Sequence, residues 1–167
     1  MNDPALFQSQ FSAPALGDRR IIHRFMKVWA QCARGGFPSW SDLRAHDLGQ
    51  DWNWLFVVDL AKSGTFPHFD YLGADLAKLA DVHLAGGGDW AISILDRAAE
   101  DINAAVADQG PHLAEDTLML DDGRAVLFRC MTAPLSEKDQ VITHVVGVIS
   151  GRLAEPGSFS YEASNDV

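Results

Sequence analysis

The chain has 167 residues, of which 47% are hydrophobic and 22% charged, so it can bury a core without disulfides and has the size of one domain. Its 13 basic and 23 acidic residues give a formal net charge of -10, which disfavours binding to nucleic acid or to an anionic membrane. Cys32 and Cys130 lie far apart, without a CxxC spacing, as is usual in a reducing compartment. No segment has the ~20 apolar residues of a membrane span, and no signal peptide is recognisable. We therefore expect a cytoplasmic protein with no membrane partner.

The two ends of the chain differ in composition from its middle. Residues 1–16 are rich in Gln, Ser, Pro and Ala, and residues 154–167 contain Pro156, Gly157 and four Ser or Asn residues. Such segments bury little apolar surface, so both are predicted to be flexible. Residues 17–153 are predicted to form a single domain.

The first predicted element is an amphipathic helix that begins after Asp18 as N-cap and ends at Gly35-Gly36. Its apolar residues recur at steps of three and four positions. Two interpretations stay open, and both can hold at once: the helix docks a second copy or a partner, and it covers the sheet face that carries Leu127, Met131, Val145 and Ile149. The residues predicted for a dimer or partner contact are Ile21, Ile22, Phe25, Met26 and Trp29.

Two strands are predicted after a short helix that Ser41 or Asp42 caps. The first, Trp54–Leu60, has the β-branched and aromatic content of a mostly buried strand. Lys62–Thr65 forms a turn, and the second strand, Pro67–Leu72, would place Phe69 and Tyr71 on one face because side chains alternate along a strand.

A helical crossover and three more strands complete the predicted fold. The crossover consists of a short helix over residues 74–80, a break at Gly86–Gly88 and a longer helix that ends near Gly110. From Leu113 to Leu153 three strands follow, joined by turns at Asp121–Gly123 and Ser136–Gln140. If the last strand pairs beside the first, the result is an α+β fold: a five-stranded antiparallel sheet with the crossover helices on one face and the N-terminal helix on the other.

This order of elements resembles the PAS domain, a sensory module of bacterial signalling proteins. The likeness to stand-alone bacterial PAS-domain proteins covers roughly residues 20–152, and the chain departs from it at Ala85–Gly88, where only Gly88-Asp89 of the usual pattern remains. The segments that carry it are Arg34–Ser39 (RGGFPS), Asp42-Leu43, Asp47-Leu48, Trp54–Leu60 (WLFVVDL) and Tyr71–Leu76 (YLGADL). These motifs specify packing and turns rather than a reaction.

The resemblance implies a small-molecule cavity between the sheet and the crossover helices, and a homodimer contact through a flanking helix. A mostly apolar lining with few polar groups suits a small ligand, whereas a lining packed to crystal-like density would be only a core. Tyr71, His83 and Arg129 stand out because each brings a hydrogen-bonding tip to an apolar region. The predicted lining residues are Phe56, Val58, Phe69, Tyr71, Leu76, Leu79, His83, Leu95, Leu118, Leu120, Phe128, Arg129, Val146 and Val148.

The sequence does not identify a cofactor. His83 is a candidate ligand for heme iron, but a lone histidine beside glycines is more often a surface or capping residue. A flavin–cysteinyl adduct is disfavoured because neither cysteine lies in an Asn-Cys-Arg-Phe type motif. His112 and His144 are candidates to share a metal ion if their strands are neighbours, but no third ligand is evident. We expect at most an unidentified small organic ligand and no metal.

No enzyme signature is present. Gly147–Gly151 is one residue off a nucleophile elbow and lacks the helix that should follow, and Gly86–Gly88 matches no nucleotide-binding fingerprint. The sequence therefore predicts a non-enzymatic PAS sensor or signalling adaptor that binds a small molecule, relays a signal through a protein partner or dimer, or does both. The alternatives are a constitutive interaction scaffold with a filled core and a small cone-shaped α+β enzyme, for which Tyr71, His83 and Arg129 would have to converge.

Overall fold

The structure, a computed structural model, describes residues 19–86, 94–119, 123–138 and 140–154. The predicted N-terminal arm, the Asp18 cap and nearly all of the predicted C-terminal tail lie outside these residues. No helix in the described part of the chain is long and apolar enough to cross a membrane. In chain order the elements are α1 (Arg19–Ala33), α2 (Trp40–Arg44), a 3-10 helix (Gly49–Trp54), β1 (Leu55–Asp59), β2 (His68–Leu72), α3 (Ala74–Gly86), α4 (Ile94–Asp108), β3 (His112–Met119), β4 (Ala125–Leu135) and β5 (His144–Ala154).

The five strands form one antiparallel sheet in the order β2-β1-β5-β4-β3. β5 pairs with β1, with Val148 opposite Leu55, so the prediction that the last strand lies beside the first is confirmed. α3 and α4 connect β2, at one edge of the sheet, to β3, at the other. The chain thus has the predicted PAS-like α+β fold.

The face of the sheet that α3 covers, here called the inner face, is identified from β5. Residues paired across antiparallel strands point to the same face, and Phe56 pairs with Gly147. A Cβ atom at Gly147 would lie 2.0 Å from the Phe56 ring, and one at Gly151 would lie 2.9 Å from the Leu79 side chain of α3. Positions 147, 149 and 151 of β5 therefore face the crossover helices.

The opposite face, here called the outer face, carries Val146 and Val148, which pair with Val57 and Leu55 and are fully buried. α1 packs against β5 and covers this face, as predicted. The assignment of individual β5 residues was wrong, however. Val145 and Ile149 were predicted to lie on the outer face, under α1, but in the structure they point to the inner face. The run Val145–Ile149 is apolar on both faces, so alternation alone does not say which residues point which way.

A bulge in β2 separates two residues that were predicted to share a face. Val57 pairs with Tyr71 and Val58 with Phe69, which leaves Asp70 as the extra residue. Phe69 therefore lies on the inner face, where its ring centroid is 5.9 Å from that of Phe56. Tyr71 lies on the outer face.

The Arg34–Ser39 motif connects α1 to α2 and fixes this connection to the β4–β5 loop. Gln140 Oε1 accepts a hydrogen bond of 2.6 Å from the backbone N–H of Phe37, and the N–H of Ser136 donates to the carbonyl of Pro38. At Gly36 a Cβ atom would lie 2.3 Å from Gln140 Oε1. The glycine therefore allows this close approach.

Several element boundaries differ from the prediction. Ser39 caps α2, since its hydroxyl accepts a hydrogen bond from the N–H of Asp42, whereas Ser41 or Asp42 was predicted as the cap. The 3-10 helix before β1 was not predicted. α3 continues to Gly86, well beyond residue 80, since no proline or glycine interrupts residues 81–85 and Leu84 and Ala85 are good helix formers.

Candidate functional site

Four side chains with polar groups meet where α4 crosses the inner face, and we call them the inner polar cluster: Asp101, His112, Cys130 and Thr132. Thr132 pairs with both Gly147 and His112, which places it on the inner face, and its hydroxyl donates a 3.0 Å hydrogen bond to the carbonyl oxygen of Asp101. Asp101 Oδ1 lies 3.7 Å from His112 Nε2, and its carboxylate accepts a hydrogen bond from the Cys130 thiol. α4, β3 and β4 thus each contribute to the cluster.

The ionisation of Asp101 and Cys130 follows from their surroundings. Burial raises the pKa of the Asp101 carboxyl, and the nearby His112 opposes part of that rise. Burial and the charge of Asp101 raise the pKa of the Cys130 thiol well above its ordinary value. Because a protonated thiol is neither a nucleophile nor a good metal ligand, Cys130 acts here as a small hydrogen-bond donor.

Most of the predicted lining residues belong to the inner side of the core. Phe56 and Val58 of β1 are fully buried, Phe69 and Leu95 are partly buried and pack against the core, and Leu118 and Phe128 face the same side through their pairing with Val126 and Gly151. Leu76 and Leu79 of α3 are fully buried. The structure therefore brings eight of the predicted residues together: Phe56, Val58, Phe69, Leu76, Leu79, Leu95, Leu118 and Phe128.

Four predicted lining residues lie on the outer face instead. Tyr71 donates a 2.8 Å hydrogen bond to the carbonyl of Trp52, and burial raises the pKa of its phenol. Arg129 Nε lies 2.6 Å from Glu115 Oε1 on β3. Val146 and Val148 pair with Val57 and Leu55 and therefore point to the side that α1 covers. None of the four can line a cavity under α3 and α4.

Two further predictions fall outside what the structure describes. Leu120 is not among the described residues, and only the backbone of His83 is described, within α3. Whether His83 faces a cavity stays a prediction. So does the heme hypothesis that depends on it.

The apolar residues of α1 serve the core of their own subunit. Ile21, Ile22 and Phe25 are buried, while Met26 and Trp29 are partly buried and pack against the core. The Trp29 indole also donates a 3.1 Å hydrogen bond to the carbonyl of Pro134. Of the two interpretations of this helix, the structure supports the cover. Ile21, Ile22 and Phe25 are thus not available for a dimer or partner contact, whereas the part of Met26 and Trp29 in such a contact stays a prediction.

A second group of side chains, here called the carboxylate–histidine cluster, consists of Asp59, Asp70 and His144. Asp59 ends β1, Asp70 is the bulge residue of β2 and His144 begins β5. His144 Nε2 lies 3.1 Å from Asp70 Oδ2 and 3.5 Å from Asp59 Oδ2, and one ligand atom from each of the three residues lies within 4.8 Å of the others. The sequence analysis missed this group, because it depends on the pairing of three segments that are distant in the chain.

Lys62 and the β1–β2 turn surround the carboxylate–histidine cluster. Lys62 Nζ lies 3.5 Å from Asp59 Oδ2 and 3.6 Å from Asp70 Oδ1. Asp59 Oδ1 accepts hydrogen bonds from the N–H groups of Ala61 and Lys62. The bond from Lys62, followed by the charge of His144, lowers the pKa of the Asp59 carboxyl below its ordinary value even though burial opposes this.

The predicted pairing of His112 with His144 does not occur. Their strands, β3 and β5, are separated by β4, and the two side chains lie on opposite faces of the sheet. His112 contacts Asp101 and Asp108, whereas His144 contacts Asp59 and Asp70. The two histidines therefore cannot share a metal ion.

Comparison with known proteins adds a likeness of fold only. No protein-family model matches the chain, and no curated protein is similar enough to be counted as a relative. Among solved structures the chain is similar to an RNA-binding light-oxygen-voltage receptor, with 16% identity and a TM-score of 0.36 over 58% of this chain and 28% of that chain. It is also similar to variants of the fungal photoreceptor VVD, or Vivid, with 14% identity and a TM-score of 0.42 over 75% of this chain and 91% or 97% of theirs. Likenesses this distant transfer neither flavin, light sensing nor RNA binding to this chain.

Proposed function

We propose that this chain is a cytoplasmic sensory or signalling domain without catalytic activity, which binds a small organic molecule between the inner face of the sheet and α4. The observation that carries the proposal is the inner polar cluster. It sets one carboxylate, one imidazole, one thiol and one hydroxyl within an otherwise apolar layer. A few convergent polar groups in apolar surroundings are typical of small-ligand sites.

The chemistry of the cluster indicates the class of ligand. The Asp101 carboxylate accepts hydrogen bonds, and its negative charge disfavours an anionic molecule. The flanking core residues, which include Phe128 and Leu118, offer only apolar contacts. A largely apolar molecule with a hydroxyl or amine donor suits both conditions. Nucleic acid is not an expected partner, because the formal net charge of the chain is -10.

Native mass spectrometry of the full chain purified from its own host tests the proposal. We expect a retained small molecule that is released on denaturation, and a lower retained fraction in Asp101→Asn. Asp75→Asn is the matched control, because the Asp75 carboxylate on α3 pairs with Lys78 rather than with a residue of the cluster. If no molecule is retained and none in a chemically diverse ligand screen raises the melting temperature, the proposal is wrong.

A filled-core interaction scaffold is the second candidate, and one contact favours it. The Phe56 ring occupies the space above Gly147, where a Cβ atom would be 2.0 Å away. This part of the inner face is therefore packed like a core. In that case the domain binds its regulator constitutively, and retained ligand would be absent from every preparation.

The enzyme alternative loses its motivation. It required Tyr71, His83 and Arg129 to converge, but Tyr71 hydrogen-bonds Trp52 on the outer face and Arg129 pairs with Glu115. β1 and β5 also separate their two strands.

We propose that the output passes through a protein partner or a change of homodimer. Because Ile21, Ile22 and Phe25 are buried in the core, α1 can contribute to such a contact only through its partly buried and exposed residues. Analytical ultracentrifugation of protein before and after ligand stripping tests the dimer. A single sedimentation coefficient at all concentrations and in both states would exclude a change of homodimer, and a protein partner would then be the remaining route for the signal.

A further inference from the structure

We propose that Asp59, Asp70 and His144 form a binding site for a divalent transition-metal cation of the Zn²⁺ type. The site lies on the outer face, at the end of the sheet where β1, β2 and β5 meet. The proposal is independent of a small-molecule site on the inner face, so either can fail without the other.

Two of the separations between the three side chains match a metal coordination shell, and the third is within 4.8 Å. Zn²⁺ binds imidazole nitrogen and carboxylate oxygen at about 2.0–2.1 Å in a tetrahedron, which places neighbouring ligand atoms about 3.3 Å apart. His144 Nε2 lies 3.1 Å from Asp70 Oδ2 and 3.5 Å from Asp59 Oδ2. Three protein ligands with one remaining position are therefore available with little side-chain movement.

Groups outside the cluster orient the ligands. His144 Nδ1 lies 2.9 Å from Thr143 Oγ1, and this hydroxyl also accepts a 3.0 Å hydrogen bond from the backbone N–H of Glu137. If Nδ1–H donates to Thr143, Nε2 presents its lone pair to the two carboxylates. A metal-bound histidine usually has such a partner for its second nitrogen. Metal binding then requires that Nε2 carry no proton and that Lys62 leave the two carboxylates.

The ligands are held by the sheet rather than by a mobile loop. Asp59 pairs directly with His144 across β1 and β5 and with His68 across β1 and β2. The side chains of Asp59 and His144 are only 11% and 12% exposed. A buried histidine and a buried carboxylate beside the more exposed Asp70 suit a cation better than separate surface charges do.

Lys62 is the cation that competes for the site. Its Nζ lies within 3.6 Å of both carboxylates, so without a metal it balances part of their charge. The Lys62 side chain is 60% exposed, and an exposed ion pair contributes little to stability. A doubly charged ion with direct ligand bonds is therefore expected to displace it. The opposing interpretation is an ion-pair network in which Lys62 and a His144–Asp70 hydrogen bond are sufficient.

Isothermal titration calorimetry tests the site. The full chain is treated with a chelator and then titrated with ZnCl₂ in a non-coordinating buffer. We expect one Zn²⁺ per chain, and roughly tenfold or greater weakening in His144→Gln and in Asp70→Asn. The matched controls are His23→Gln, an exposed histidine on α1, and Asp75→Asn on α3; both should bind like the wild type.

Lys62→Met keeps the test decisive if the other variants fold poorly, because Lys62 is exposed. A metal site predicts that Zn²⁺ binds Lys62→Met more tightly than the wild type, since the competing ammonium is gone. The ion-pair network predicts that Lys62→Met loses stability and gains no Zn²⁺ affinity. The proposal is overturned by that second result, by absence of stoichiometric binding to the wild type, or by His144→Gln binding as well as His23→Gln.

Discussion

The two faces of the sheet are covered in different ways. Under α1 the outer face presents fully buried apolar side chains such as Val57, Met131 and Val148, and the helix supplies Phe25 to fill the layer. Under α3 and α4 the inner face combines aromatic rings with Gly147, Gly151 and the inner polar cluster. The outer face is thus a core in the ordinary sense. The inner face has the mixture of shape and polarity that a binding site needs.

The glycines explain much of this contrast. On β5 both Gly147 and Gly151 face inward, so that strand contributes backbone rather than side chains at these positions. Phe56 and Leu79 enter the space that the missing side chains leave. The inner face is therefore shaped by its helices and by β1, and small changes there have a large effect on packing.

Truncation of the α1 cover should give the largest effect. Phe25→Ala removes a side chain that is 1% exposed from the outer layer, and we expect a loss of about 3–5 kcal/mol in the free energy of unfolding. Urea denaturation followed by circular dichroism measures it. His23→Ala, an exposed position on the same helix, should change stability by about 0.5 kcal/mol or less. A loss below about 1 kcal/mol for Phe25→Ala would show that α1 is not part of the core.

A methyl group added to the inner face should give an intermediate effect. In Gly147→Ala the new Cβ would meet the Phe56 ring, and overpacking of this kind costs about 1–3 kcal/mol. The same denaturation measurement applies. Gly64→Ala is the control, because a Cβ atom there has nothing within 4 Å.

A double variant identifies the contact responsible. If the Phe56 ring causes the clash, Gly147→Ala combined with Phe56→Leu should lose less than the sum of the two single variants. Strict additivity would mean that Gly147 is needed for another reason. The comparison of the two faces would then have to be revised, because the inner face would not be packed around the glycine.

The sequence was sufficient to predict the order and pairing of the strands. The β-branched and aromatic run at Leu55–Asp59 and the two turn signals of the last third define antiparallel strands, and the amphipathic pattern of α1 predicts a cover. These features are local. They depend on propensity and periodicity, which a single segment carries by itself.

The errors concern the assignment of side chains to faces. Val145–Ile149 is apolar throughout, so nothing in it distinguishes inward from outward residues. In β2 one extra residue at Asp70 turns Tyr71 to the outer face, and the strand itself contains no glycine that would indicate a bulge. The carboxylate–histidine cluster was missed for a related reason: its three residues meet only through the register of β1 with β2 and β5.

The smallest expected effect on stability comes from the ionisation of Asp101. It tests whether the polar part of the inner face differs from the outer face. Burial raises the pKa of this carboxyl in the folded chain, Glu100 and Asp116 add to the rise, and His112 opposes it. For an acid with a raised folded pKa, the stabilising contribution is complete below the unfolded value, about 3.9, and is lost as the pH rises through the folded pKa. Stability from this group should therefore fall with increasing pH.

Asp101→Asn removes that dependence. We expect the unfolding free energy of the wild type, relative to that of Asp101→Asn, to decrease as the pH rises from below about 4 through the raised folded pKa, by less than the loss in Gly147→Ala. Urea denaturation across that pH range measures the difference, and Asp75→Asn on α3, whose carboxylate pairs with Lys78, serves for comparison. If the difference between wild type and Asp101→Asn grows with pH, His112 dominates the environment of Asp101. The inner polar cluster would then be an ion pair comparable to that of Arg129 and Glu115 on the outer face, and the distinction between the two faces would weaken.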